Sequence, residues 1–216
     1  MRIYRSHSVK YLGVHLDEHL NWKPHVAITS KKLQRANGAL SKLRHYMPLK
    51  SLVNVYHSLF ASHMRYTCQL WGLCDNSVTH RILTLQKAAL RLITFSEPRS
   101  PLAPIFAELE ILKFFDLVEV LNILLAHQHF LNLPTDTLET FNFSKVHHSF
   151  CTRGKSLGLL SSLNANTSKF GLKSLTRLSI KQWNKLQLSH PIINLSNIST
   201  HKLKSLSKQF YLKHYL

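Results

Sequence analysis

Apolar residues recur along the chain at two different periods, which predict a short β segment followed by helices. Residues 8–16 alternate as in a strand, and a turn is expected at Asp17-Glu18-His19. Further along, apolar residues return at the spacing of one face of an amphipathic helix. Helices are predicted at approximately residues 25–46, 49–66, 77–95, 103–110, 113–131, 175–186 and 200–212.

The connections between the first three predicted helices are short, and short loops favour an antiparallel bundle. The predicted fold class is therefore mostly α, with a short N-terminal β segment, an antiparallel helical bundle and a basic, partly helical C-terminal tail. Patterning and composition together divide the chain into four segments. These are residues 1–22, 23–99, 100–139 and 140–216.

Charge separates these segments and indicates the kind of partner. The chain has 28 Lys and Arg against 10 Asp and Glu, a formal net charge of +18. Residues 100–139 hold one Lys and six acids, whereas no acid follows Glu139. We therefore expect residues 100–139 to be packed protein and the flanking segments to be electropositive. Such a surplus favours a polyanionic partner, usually nucleic acid.

Two further features narrow the class of protein. The most apolar stretch, residues 111–130, is interrupted by charged side chains, so it predicts a buried helix and no stable membrane span. Cys68, Cys74 and Cys151 are odd in number and lack a C-x2-C pair, which is typical of reduced thiols. With a polar N-terminus in place of an apolar leader, the expected location is intracellular, in the cytoplasm, the nucleus or both.

Two clusters contain residue types that bind metals. His15-Leu16-Asp17-Glu18-His19 fits the H-x-x-E-H pattern of inverzincin metalloproteases, which needs both His on one helical face. A strand-like run precedes this pattern and Pro24 follows it, so a zinc site is not expected. His147, His148 and Cys151 lack further ligands at zinc-knuckle spacing. No metal site and no catalytic residue is predicted.

The predicted helix at residues 25–46 carries cations opposite its apolar stripe. No acid occurs between Asn21 and Cys74, so these cations have no acidic partner one turn away. Unpaired positive charge opposes folding alone and becomes favourable when phosphates supply the counter-charge. The candidate nucleic-acid-binding residues are Lys31, Lys32, Arg35, Lys42 and Arg44. Six neutralised phosphates would make log K fall with log salt at a slope of about −5.

A series of short motifs runs in a fixed order along the chain. They are Tyr11-Leu12-Gly13-Val14, Leu20-Asn21-Trp22-Lys23-Pro24-His25, Arg35-Ala36-Asn37-Gly38, Tyr56, Trp71-Gly72, Leu85-Gln86-Lys87 through Arg91-Leu92-Ile93, and Trp183-Asn184-Lys185-Leu186. This order resembles the end of the palm and the thumb of reverse transcriptases from non-LTR (LINE-like, jockey/CR1-type) retrotransposons. The chain departs from that pattern at Gln187, where a Pro usually follows the Leu.

The resemblance implies a role for each segment. The first would be a palm-end strand in which Tyr11, Leu12 and Gly13 support the primer terminus. Residues 23–99 would be the thumb, with the helix pair of residues 100–139 packed on it and a basic C-terminal region after it. Partners would be RNA, DNA or an RNA–DNA duplex, together with the palm and fingers of a polymerase.

The resemblance also implies where the chemistry lies. Reverse transcriptases hold two metal ions with a Tyr-x-Asp-Asp turn and one earlier Asp, and this sequence has no adjacent Asp pair. We therefore expect no cofactor in this chain, since Mg²⁺ would belong to the palm, and no polymerisation by the chain alone.

Three alternatives stay open at this stage. The chain could act as a standalone basic nucleic-acid-binding module, or it could be a non-functional relic of a transposable element. The third is a membrane-surface role, because Lys202, Lys204 and Lys208 alternate with apolar residues and could form an amphipathic helix.

Overall fold

The computed structural model describes residues 6–131, 143, 145, 153–161 and 174–215. Contacts within the chain divide it into two compact units, Met1–Phe115 and Asp116–Leu216, which we call unit 1 and unit 2. Helices follow a short two-stranded sheet, so the predicted fold class is confirmed. The finer division into four segments stays a prediction. The candidate ligands His147, His148 and Cys151 lie outside the described residues.

Unit 1 begins with a β-hairpin, where alternation over residues 8–16 predicts a strand and the resemblance to reverse transcriptases implies a hairpin at Tyr11-Leu12-Gly13-Val14. Strands β1 (Ser8–Tyr11) and β2 (Val14–Asp17) pair antiparallel, with Tyr11 opposite Val14. Leu12 and Gly13 form the turn with φ of 45° and 80°, as in a type I′ hairpin, where both central residues have positive φ. The alternating pattern alone does not indicate this turn, because its first central residue is Leu12 and not Gly or Asn, which normally mark such a turn.

Helices build the rest of unit 1. They are α1 (Lys23–Leu43), α2 (Leu49–Val55), a π-helical segment (Tyr56–Ala61), α3 (Ser62–Arg65), α4 (Cys68–Trp71), α5 (Asn76–Thr94) and α6 (Ala103–Glu108). The Asn37 side chain on α1 donates to the carbonyl oxygen of Leu85 on α5 at 3.1 Å, and Arg44 lies over the ring of Phe95. α1 and α5 therefore run in the same direction, and the helices between them return, as the predicted bundle requires.

The core of unit 1 is aromatic and aliphatic. Its largest fully buried side chains are Trp71, Tyr56, Phe60, Phe106, Phe114, Leu33, Leu40, Leu52, Met64, Ile82 and Leu90. Trp71 stacks on Phe114 with ring centroids 5.2 Å apart, and Tyr56 stacks on Phe60 at 5.3 Å. Such ring pairs add to the free energy gained from burying their area.

Unit 2 is also helical over its described residues. Its elements are α7 (Phe114–Phe130), which starts at the unit boundary, α8 (Arg153–Ser156), α9 (Leu175–Ser189), α10 (Thr200–Leu212) and 3-10 turns at Leu195–Asn197 and Lys213–Tyr215. The helices predicted near residues 175–186 and 200–212 are thus confirmed. Ser174 and Ser199 cap α9 and α10 by accepting a backbone N–H from the first turn. Over the parts of the chain that are described, no helix is long and apolar enough to cross a membrane.

Candidate nucleic-acid interface

One carboxylate turns the hairpin into α1. Asp17 accepts the backbone N–H of Trp22 at 2.8 Å and that of Asn21 at 3.0 Å. Burial opposes ionisation, but these backbone donors outweigh it and lower the pKa of Asp17. Trp22 has a left-handed φ of 62°, and Pro24 occupies the first turn of α1, as the sequence predicts. Asp17 is therefore engaged in holding the start of the basic helix.

The residues of the H-x-x-E-H pattern do not share a helix. His15 lies on β2 and His19 in the turn that follows. Glu18 Oε1 lies 3.2 Å from His7 Nδ1 and 3.6 Å from His19 Nε2. Among the residues that the structure describes, no three His, Cys, Asp or Glu side chains are grouped closely enough to hold a metal ion.

Tyr11, Leu12 and Gly13, which the resemblance assigns to support of the primer terminus, form the exposed tip of the hairpin. Tyr11 is 65% exposed and Leu12 is 72% exposed. The Tyr66 hydroxyl donates to the carbonyl oxygen of Leu12, and a Cβ added to Gly13 would meet the Tyr66 ring at 3.5 Å. Tyr66 therefore holds the turn in place. Sequence reasoning missed this residue, because no local pattern connects Tyr66 to a turn 54 residues earlier.

The exposed side of α1 carries four of the five candidate cations. Lys31, Lys32, Arg35 and Lys42 are all exposed. At about 100° per residue, Lys31, Arg35 and Lys42 lie within about 40° of one another around the helix axis, over about 16 Å of its length. We call these three residues the α1 stripe. None of the four cations forms an ion pair with any residue in the described ranges.

Arg44 stands apart from the other candidates. It follows α1 at the C-cap, and its guanidinium carbon lies 3.9 Å from the centre of the Phe95 ring. Its side chain is half-buried, and its Nε has no hydrogen-bond partner within the described part of the chain. The cation is thus used in packing against an aromatic face. At about 100° per residue, Arg44 would lie about 140° from Lys31 around the helix axis, near Leu33 and Leu40, so helical spacing already separates it from the α1 stripe.

His25 shows what the last position of the Leu20–His25 motif does. It is buried, packs edge-on against Trp71 at 5.6 Å, and accepts the backbone N–H of His15 at Nδ1 at 3.4 Å. Burial lowers the pKa of His25, with smaller contributions from His15 and Lys32. The neutral ring therefore anchors the first turn of α1 to the core beneath it.

Gln86, from the motif on α5, is a hub of buried hydrogen bonds. Its Nε2 donates to the Tyr56 hydroxyl at 3.1 Å and to the carbonyl oxygen of Leu112 at 2.8 Å, while its Oε1 accepts the N–H of Phe114 at 2.9 Å. Burial raises the pKa of Tyr56 to about 12. Tyr56 and Gln86 are thus core residues that shape the fold.

Tyr46 differs from Tyr56 in its surroundings. The sequence favours core packing over stacking on sugars or bases for both rings, and this prediction is confirmed for Tyr56. It is wrong for Tyr46, which is 86% exposed in the connection after α1. The helical stripe ends before Tyr46, so the ring is not carried onto the buried face.

Unit 2 also presents a basic helix, with its apolar side covered. Leu203 on α10 is fully buried and Tyr211 nearly so. The Tyr211 hydroxyl donates to Glu119 at 2.6 Å, and Lys185 Nζ lies 3.6 Å from the same carboxylate. Because this helix already packs within unit 2, it lacks the free apolar side that membrane-surface helices insert.

Comparison with known proteins finds relatives among transposable elements of Drosophila melanogaster. The chain is 35% identical over 97 residues to a probable RNA-directed DNA polymerase from transposon X-element, and 34% identical over 89 residues to one from transposon BS. It is 31% identical over 97 residues to the RNA-directed DNA polymerase from mobile element jockey. No family model and no solved structure matches the chain.

The matched regions are short relative to those proteins. They cover 43%, 39% and 43% of this chain and 11%, 10% and 11% of the X-element, BS and jockey proteins, respectively. The chain therefore spans about a tenth of the length of the curated relatives it matches. Over the matched part, the chain is similar to the RNA-directed DNA polymerases of non-LTR retrotransposons, which confirms the resemblance drawn from its motifs.

Proposed function

We propose that this chain grips a template–primer duplex through the exposed side of α1, as the thumb of a retrotransposon RNA-directed DNA polymerase would. The observation that carries the proposal is the α1 stripe, Lys31, Arg35 and Lys42, which stands in a stretch without acids from His19 to Cys74. Cations on one face attract phosphates whatever the base sequence, so the binding is non-specific.

The hairpin tip has a second role in this proposal. Tyr11 and Leu12 are exposed apolar side chains on a turn that Tyr66 holds from behind. Such a tip suits contact with the sugar and base of a primer end better than contact with phosphate. The transfer of nucleotides would remain with a palm, and the chain would act together with palm and fingers.

A salt titration tests the proposal. Because Arg44 packs over Phe95, four of the five candidate cations are exposed. They are Lys31, Lys32, Arg35 and Lys42. If each neutralises one phosphate, log K for an RNA–DNA duplex falls with log salt at a slope of about −3.6. A slope near zero contradicts the proposal.

Substitution locates the contact. Replacing the α1 stripe by alanine removes three charges and should bring the slope to about −0.9. The matched control replaces three exposed cations elsewhere, Lys50, Arg81 and Lys204, by alanine. Both variants remove two Lys and one Arg, so net charge is equal in the two. Equal losses of affinity would show that overall charge, and not α1, governs binding.

A membrane-surface role for α10 is less well supported. Its apolar side is covered, since Leu203 has no exposed surface. Co-sedimentation with anionic vesicles that exceeds duplex binding at equal salt would reverse this preference.

A further inference from the structure

The π-helical segment Tyr56–Ala61 has a cause that can be traced in the sequence. The largest fully buried side chains of this region are Leu52, Tyr56, Phe60 and Met64, each four positions after the last. In a regular α-helix, three such steps rotate the buried side by about 120°. One extra residue in a π turn corrects about 100° of that drift. The segment thereby keeps all four side chains directed at the core.

The same correction moves Leu59 out of the core. Regular helical spacing predicts that Leu59 is buried with Tyr56 and Phe60, and this prediction is wrong, because Leu59 is 43% exposed. It lines a groove of about 400 Å³ beside α1. The groove is bounded by Lys32, Arg35, Ala36, Ala39, Leu59 and His63. π turns of this kind occur frequently at functional sites.

The groove combines an aliphatic floor with donor groups at its edges. Ala36, Ala39 and Leu59 supply apolar surface, while Lys32, Arg35 and His63 supply the polar atoms. Among the residues that the structure describes, no carboxylate, amide or hydroxyl side chain lines it. A ligand that fits must therefore be anionic at one end and flat or apolar at the other.

We infer that this groove receives one unpaired nucleotide of a nucleic-acid strand that runs along the α1 stripe. The inference rests on the proposed function, because Arg35 belongs both to the stripe and to the groove. Splayed bases stack on imidazole rings and on guanidinium planes, and His63 and Arg35 provide one of each. Lys32 then neutralises the adjoining phosphate. A volume of about 400 Å³ lies within the range of small-ligand sites.

Two substrates separate this inference from duplex gripping. The full chain is titrated with a blunt RNA–DNA duplex and with the same duplex carrying one unpaired 2-aminopurine. The groove predicts that the unpaired base raises affinity about tenfold, or about 1.4 kcal/mol, and that its fluorescence changes on binding.

Variants at the groove locate the extra affinity. Leu59→Trp fills the groove and His63→Ala removes a stacking plane, and each should abolish the preference while blunt-duplex affinity stays within about twofold. The matched controls are Leu70→Trp and His80→Ala, which alter a similarly exposed Leu and an exposed His outside the groove. Circular dichroism verifies that each variant is folded.

The outcomes fall into distinct classes. Tight blunt-duplex binding with no preference for the unpaired base overturns the inference and leaves the proposed function standing. Absence of binding to both substrates overturns both. A preference that survives Leu59→Trp places the unpaired base elsewhere and overturns the inference.

Discussion

Units 1 and 2 share three structural features, but the residues that form them have different surroundings in the two units. Each has a basic helix, a buried glutamine that hydrogen-bonds the backbone of a connecting segment, and a buried histidine that packs against a tryptophan. In unit 1 these are α1, Gln86 and His25, and in unit 2 they are α10, Gln187 and His127. The units differ in the positions of the cations around the basic helix and in the burial of the backbone groups that each glutamine bonds. Composition alone cannot separate the two units, because both are rich in cations.

The two basic helices place their cations differently. On α1 the stripe occupies the centre of the exposed side, opposite Leu33 and Leu40. On α10, at about 100° per residue, Lys204 and Lys208 lie about 40° apart, whereas Lys202 lies about 120° to 160° away from them around the helix axis. A row of three cations can follow a phosphate backbone, whereas on α10 only two of the three cations share one side of the helix. The arrangement of cations around a helix, more than their number, therefore decides whether they can act together on one phosphate backbone.

Charge reversal should give the largest effect. Changing the α1 stripe to glutamate, as Lys31→Glu, Arg35→Glu and Lys42→Glu, should lower duplex affinity more than about 1000-fold at low salt, because three attractive contacts become repulsive. Filter binding at several salt concentrations measures the loss.

The matched reversal lies on α10. Lys202→Glu, Lys204→Glu and Lys208→Glu change net charge by the same amount and should cost less than about tenfold. Equal losses for the two triple variants would remove the distinction between the helices.

The buried glutamines should give the next largest effect. Gln86→Leu leaves the Tyr56 hydroxyl, the Leu112 carbonyl and the Phe114 N–H without their partner, so unfolding free energy should fall by about 3 kcal/mol. Denaturant unfolding measures the loss, and exchange of the Phe114 amide shows whether it is local. An unchanged midpoint would mean that water replaces these bonds without cost.

Gln187→Leu provides the counterpart in unit 2. Gln187 donates to the carbonyl oxygens of Ile193 and His190 at 2.7 and 3.3 Å and accepts the N–H of Leu195 at 3.2 Å. Ile193 and His190 are only half-buried, so their carbonyls regain water. The expected loss is about 1.5 kcal/mol, smaller than for Gln86, and a larger loss would invert the comparison.

The histidines should make both units sensitive to acid. Burial lowers the pKa of His25 and of His127, although in His127 the bond from Nε2 to the Ile198 carbonyl at 2.9 Å partly opposes the shift. The unfolded chain then binds more protons, so stability is complete above about pH 6.5 and falls as pH drops toward the folded pKa. Each histidine changes the free energy of unfolding by at most about 1.4 kcal/mol per pH unit.

Nuclear magnetic resonance of the imidazole protons checks this directly. Both rings should titrate below about pH 6.5, and unfolding midpoints should decline between neutral and mildly acidic pH. His25→Gln should reduce the pH dependence of unit 1 and leave the His127 titration unchanged. Titration of either ring at its ordinary value would contradict the prediction.

A glycine on α1 should give the smallest effect. Gly38 lies among the exposed residues of α1, and a Cβ there would meet no atom within 4 Å. Gly38→Ala should therefore stabilise the chain by about 0.5–1 kcal/mol, through helix propensity. Gly13→Ala is the control, since its φ of 80° makes any side chain strained, and it should destabilise. Thermal unfolding of both variants measures the opposite signs.

Local chemistry let the sequence predict much of this protein. The position of Pro24, the apolar periods of α1, α5, α9 and α10, and the surplus of cations all depend on neighbours a few positions away. The family resemblance rested on the same short motifs, and the relatives confirm it.

What tertiary structure alone decided involves contacts between distant residues. Tyr66 donates a hydrogen bond to a turn 54 residues earlier. Gln86 accepts one from the first residue of α7, 28 residues later. Arg44 packs over the ring of Phe95, which follows another helix, so it does not extend the exposed row of cations on α1. Leu59 is exposed because a π turn keeps four large side chains at four-residue spacing in the core, and this turn rotates Leu59 away from it. Periodicity describes one helix at a time, whereas these positions were fixed by what packs against it.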